Sequence, residues 1–132
     1  MSVVLKTVDQ VLGSSITEGP PLSFAVAAIT ARDIVRTRVR MEVERHNGIE
    51  AAHRYASLVT PAPQERELNG TERAPRRLLD PERQIEVALE AVRKGRVIIM
   101  FNGVQVRDLD DPLVVTPVSE ARFLKLVPLV GG

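Results

Sequence analysis

Few residues in this chain are of a type and spacing that could do chemistry. His46 and His53 stand seven positions apart, which on an unbroken helix puts two imidazoles on one side where a metal could bridge them. Gly48 falls between them and no third ligand has a useful spacing, so a pair of ordinary histidines is the expectation and no metal is. Asp108, Asp110 and Asp111 could form a carboxylate pair for acid–base work. An aspartate-rich turn ahead of Pro112 has the same composition and a purely structural job. Arg32, Arg36, Arg38 and Arg40 could meet phosphate, yet Glu42 and Glu44 follow them and make a solvated, salt-bridged face the expectation. There is no G-x-G-x-x-G or G-x-x-x-x-G-K-[ST] loop, no Ser/His/Asp set around a nucleophile elbow, and no cysteine to supply a thiolate. The chain is not expected to be an enzyme. What remains is Gly131-Gly132, reached through Val127-Pro128-Leu129-Val130 with no charged residue after Lys125.

The elements that must position such a tail follow from pattern. Val3 to Leu12 and Leu22 to Ala27 are β-prone runs around Gly13-Ser14-Ser15 and Gly19-Pro20-Pro21, and read as adjacent antiparallel strands. Thr30 with Asp33 three residues on forms a capping box, and Val35, Val39 and Val43 repeat at i, i+4, i+8. This predicts an amphipathic helix over 31–46 with its arginines and glutamates on the exposed arc. Asn47-Gly48 is expected to stop it, with a shorter helix resuming over 49–59. Residues 60–75 have loop composition, and Asp80-Pro81 then opens a second helix that Gly95 closes. Arg96 to Phe101 reads as a buried strand, Asn102-Gly103 as a hairpin turn, and Val104 to Val106 as the return strand. Leu113 to Val115 is a short edge strand and Arg122 to Val127 the last one. The inward positions are expected to be Val4, Phe24, Val26, Val35, Val39, Ile98, Met100, Phe123 and Leu126.

Length and composition set the frame. At 132 residues there is room for one domain, and 44% hydrophobic with 27% charged residues is globular composition. Eighteen basic residues against 17 acidic ones leave a net charge of +1, too little to expect nucleic acid or an anionic membrane as partner. Only three of the basic residues are lysines, Lys6, Lys94 and Lys125. No signal peptide or membrane span is evident, so the cytoplasm is the expected compartment. The sequon Asn69-Gly70-Thr71 is read as chance in that setting.

The order of elements and the terminus together resemble the ubiquitin-like β-grasp superfamily, most closely its prokaryotic sulfur-carrier branch, represented by the thiamine sulfur carrier and the small subunit of molybdopterin synthase. The residues that carry the likeness are Val97 to Val106 and Phe123 to Gly132, with Pro128 four residues before Gly132. The resemblance implies an α+β fold in which one mixed sheet wraps the helix at 31–46, with the first and last strands adjacent and parallel. Residues 48–94 would be a helical and loop insertion outside that grasp, and 128–132 a flexible tail. It further implies that an E1-like enzyme uses ATP to adenylate the carboxylate of Gly132, with Gly131, Val130, Leu129 and Pro128 recognised as the tail. This chain itself would bind no cofactor. The activated carboxyl would then pass to a sulfur-accepting enzyme or a conjugation target, making the protein a sulfur carrier or a protein modifier. The alternative is a β-grasp subunit that binds or assembles without tail chemistry.

Overall fold

The computed structural model describes residues 2–11, 13–59 and 78–130, with the backbone alone from 53 to 59. Strand β1 (Val3–Val11) turns Leu5 and Thr7 into the core and leaves Val4 and Lys6 to solvent, as a period of two requires. Two short strands, β2 (Ile16–Glu18) and β3 (Leu22–Phe24), lie antiparallel to it in the registers Val8↔Glu18 and Val3↔Phe24. The expected hairpin is therefore present, but its return arm is cut in two at Pro20-Pro21, where no N–H is available for a ladder. Strand β4 (Ala28–Thr30) leads directly into the first helix.

Helix α1 (Ala31–Val59) starts with the capping box read from the sequence. The Asp33 amide donates to Thr30 Oγ1 at 3.2 Å, and the Thr30 amide donates to Asp33 Oδ2 at 2.9 Å. The helix does not stop at Asn47-Gly48 as expected but runs on through them for 29 residues in all. Asn47 is engaged elsewhere. Its Nδ2 donates to the Leu79 carbonyl at 3.0 Å and its Oδ1 accepts from the Leu79 amide at 2.8 Å, so the side chain clamps the entry to the next helix instead of terminating its own. Gly48 costs about 1 kcal/mol of helix propensity, which these contacts and the packing of Val43 offset.

Helix α2 (Pro81–Arg93) has Asp80 as N-cap, Pro81 in its first turn and Gly95 at φ 73° just past its end. It was expected to lie outside the grasp with the rest of 48–94. Instead Ile85, Ala88 and Leu89 are buried in the same core as α1, because the α2 stripe has nowhere else to go. The loop expected over 60–75 lies outside the described residues.

Strands β5 (Val97–Phe101) and β6 (Val104–Gln105) are joined by Asn102 and Gly103 at φ 51° and 81°, the paired positive angles of a type I′ turn. Strand β7 (Pro112–Val114) leaves the main sheet and pairs antiparallel with β4. Strand β8 (Glu120–Lys125) runs parallel to β1 and antiparallel to β5, giving the order β2-β1-β8-β5-β6 with β3 also on β1. The result is an α+β protein with a mixed sheet against two helices, compatible with a β-grasp-like fold. The first and last strands lie side by side and parallel, as expected.

The core is set by one register: Thr7, Ala121 and Phe101 share a row on the inner face, and Asp9, Phe123 and Ile99 share the next. Phe24, Val35, Val39 and Phe123 are buried as expected. Ile98 and Met100 are not, because Val97, Ile99 and Phe101 take the inward positions, and an all-apolar strand carries no alternation to reveal its register. Val4 and Leu126 face solvent by the same period, and Val26 sits exposed in the bend between β3 and β4. Phe123 is fully buried at the centre of the sheet, so Phe123→Ala should cost roughly 3 to 5 kcal/mol in urea unfolding. Exposed Val104→Ala is expected to cost less than about 0.5 kcal/mol.

Candidate functional site

The tail leaves β8 at Lys125, and that end of the strand is tied down by charge. Arg38 projects from α1 beside Val35 and Val39, and its side chain is only 2% exposed. It belongs to the core, not to the solvated arc where its helix neighbours led us to expect it. Its Nη1 donates to Asp9 Oδ1 and its Nε to Glu42 Oε1, both at 2.8 Å, and Nη2 donates to Asp9 Oδ2. Such a fork holds a carboxylate in one orientation, which a lysine does not. The guanidinium also lies 5.0 Å over the Phe123 ring, the residue paired with Asp9 across β1 and β8. Lys125 Nζ reaches Asp9 Oδ2 at 3.4 Å, so one carboxylate on β1 holds both the helix and the last residue of β8.

Burial by itself would push the Asp9 carboxyl up. The hydrogen bond and charge of Arg38, with Lys125, outweigh it and hold the group below its ordinary value. For Arg38, burial works against the charge, and its contacts with Asp9 and Glu42 more than compensate. Gly19 closes the cluster from the β2 side, where a Cβ would run into Thr7 Oγ1 and crowd Arg38 and Asp9. The Thr7 hydroxyl donates at 2.6 Å to the Pro20 carbonyl.

Beyond Lys125 the chain turns back over the helices. The Leu126 amide donates to the Arg96 carbonyl at 2.8 Å, and Val127 and Val130 pack against the core. Leu129 is 3% exposed. The tail expected to be free from Pro128 onward is therefore packed as far as Val130, because three of its four apolar residues find an apolar surface within reach. It borders a groove of about 880 Å³ between the tail and the two helices, lined among others by Ile85 and Leu89 of α2 and by Arg32 and Arg36 of α1. Pro128 stands exposed on its rim. Gly131 and Gly132 lie outside the described residues.

The remaining candidates are engaged in structural contacts or stand apart from one another. Asp110 accepts from Arg32 Nε and Nη2 at 2.8 and 3.1 Å, and Asp108 accepts from the Asp110 amide, so the aspartate cluster is a turn fastened to α1. Arg40 and Arg36 reach Glu82 at 2.9 and 3.9 Å and join the helices. The helix is continuous between His46 and His53, and among the described residues no three potential ligands gather. Nor, among those residues, is any helix long and apolar enough to cross a membrane. No family model, curated protein or solved structure matches this chain.

Sequence reasoning missed the Arg38–Asp9 tie, though its signal was present. Asp9 follows Leu5 and Thr7 at the inward period of β1, and Arg38 stands three residues after Val35 on the apolar stripe. Two opposite charges at inward positions of neighbouring elements mark a buried pair. Arg38→Met should cost about 3 to 5 kcal/mol, because it leaves Asp9 buried with only Lys125 to answer it. The stability lent by the depressed Asp9 carboxyl is present above its unfolded value and is lost as pH falls through the folded one. The gap in unfolding free energy between wild type and Asp9→Asn should therefore be full at neutral pH and narrow below about pH 3.8.

Proposed function

We propose that this chain is a ubiquitin-like β-grasp protein whose function is to present the carboxylate of Gly132 to an E1-like adenylating enzyme. The observation that carries the reading is the strand order, with first and last strands parallel at the centre of the sheet and a diglycine that begins six residues beyond the last. That arrangement makes the tail depart from the central strand, so a partner that grips the sheet would hold the strand from which the tail leaves.

The chemistry lies with the partner. Once Gly132 carries a free carboxylate, one of its oxygens attacks the α-phosphorus of ATP and pyrophosphate leaves, forming an acyl-adenylate. Hydrosulfide delivered by a sulfur donor then attacks the acyl carbon and expels AMP, leaving a thiocarboxylate, or an enzyme cysteine thiolate attacks it and leaves a thioester. The apolar run Val127 to Val130 favours the sulfur-carrier branch, since ubiquitin's tail bears arginines. Lys125 is engaged by Asp9, which leaves as exposed lysines among the described residues Lys6 and Lys94, the latter paired with Glu90 at 3.7 Å, and disfavours branched chains.

A second reading has one observation in its favour. The burial of Leu129 suits a subunit that binds or assembles without tail chemistry. The two part on pyrophosphate exchange with the adenylating enzyme. The carboxylate reading expects full-length protein to support exchange, deletion of Gly132 to abolish it, and Gly131→Val to lower it at least tenfold, all with the unfolding curve unchanged. Equal rates for the full-length and Gly132-deleted chains would overturn it. Intact mass of the reacted protein, showing one oxygen replaced by sulfur or an adduct to a second chain, separates carrier from modifier.

A further inference from the structure

A tail that is to enter an enzyme is ordinarily left in solvent, and this one is not. Leu129 is as buried as the core residues Ile29 and Val115. Val127 and Val130 on either side of it pack on the same cluster, and the Leu126 amide is fixed to the Arg96 carbonyl. The diglycine thus begins one residue after a packed segment. Two residues of any conformation span at most about 7 Å, too short a leash for the carboxylate to reach the floor of a narrow channel while the rest stays seated.

We propose that the docked tail is a latch: Leu129, buried in the same cluster as Ile85 and Leu89 of α2, withholds the Gly132 carboxylate, and activation requires the segment from Val127 onward to be lifted from the helices. This rests on the carboxylate reading above. Activation then proceeds from a minor state, and its apparent efficiency is reduced by the fraction of chains in that state. Removing one leucine side chain from such a contact corresponds to a factor on the order of ten to a hundred in that fraction. The extra helix acquires a purpose in this arrangement, because α2 supplies the surface on which the tail is held. A partner that bound the α2 side of the groove would compete with the tail for that surface and release it.

The first measurement needs no partner. Full-length protein and a synthetic peptide of residues 125–132 are digested with a carboxypeptidase and followed by intact mass. The latch predicts that the glycines are lost at similar rates from both, while Val130 and Leu129 leave the protein at least tenfold more slowly than the peptide. Equal rates for all four residues would overturn it. The second measurement is pyrophosphate exchange with Leu89→Ala, which alters the seat and not the tail, with circular dichroism to confirm the fold and the milder Ile85→Val in reserve if it is lost. Exchange should rise at least threefold in kcat/KM. Protection without any rise would overturn the gating role. No exchange with any variant would overturn the carboxylate reading and the gating with it, while the digestion result would still stand for the docking.

Discussion

The parallel contact between β1 and β8 is the constraint on which the rest depends. A strand that follows every other element must be inserted beside the first, and the insertion is stable only if both neighbours accept it on the same face. Phe123 meets that demand by standing between Asp9 on one side and Ile99 on the other. Arg38 then seals the row from above, its guanidinium shared between the carboxylate and the ring. Replace that fork by a single point charge and the helix, β1 and β8 lose their common fixed point. The buried charge here is a device for register, since an aliphatic side chain in the place of Arg38 would pack without distinguishing one strand alignment from the next.

Secondary contacts repeat the same logic at lower strength. Asn47 fixes the start of α2 by offering its amide to a backbone that has no strand to pair with, and Arg40 fixes the first turn of that helix through Glu82. Arg32 does the same for the turn at Asp110, which carries β7 to β4. All of these ties run from α1, two to the start of α2 and one to the turn before β7, so the long helix acts as the spine to which the other pieces are referred. The exposed ties among them contribute little energy individually and a good deal of geometry.

Much of this was legible in the sequence where local chemistry decides. The Thr30–Asp33 box, the Asp80-Pro81 start, the Gly95 stop and the Asn102-Gly103 turn are each written in two or three residues, and each formed as read. What was not legible depends on surroundings. Val97 to Phe101 is apolar at every position, so only its neighbours choose which side faces inward. Phe123 and Leu126 were both expected inside although three residues apart, a spacing that one strand face does not carry. The continuation of α1 through Gly48 depends on where Asn47 finds a partner 32 positions away. The docking of Leu129 depends on α2 lying where it does. For the tail, the residues named its chemistry, and only the fold could say where it rests.

The position of β8 also governs how the protein comes to be made. The centre of the sheet stays vacant until nearly all of the described chain has been synthesised, so neither β1 nor β5 has its inner neighbour while translation proceeds. Local pieces such as the capped helices and the Asn102-Gly103 hairpin can form early, but the cooperative step must wait for the last strand and close the longest loop in the molecule. During that interval the edges of β1 and β5 lie open to other chains, and a nascent copy is exposed to pairing with its neighbours on the same message. The brevity of β2, β3 and β6, at three, three and two residues, leaves little additional edge to guard once β8 has slotted in.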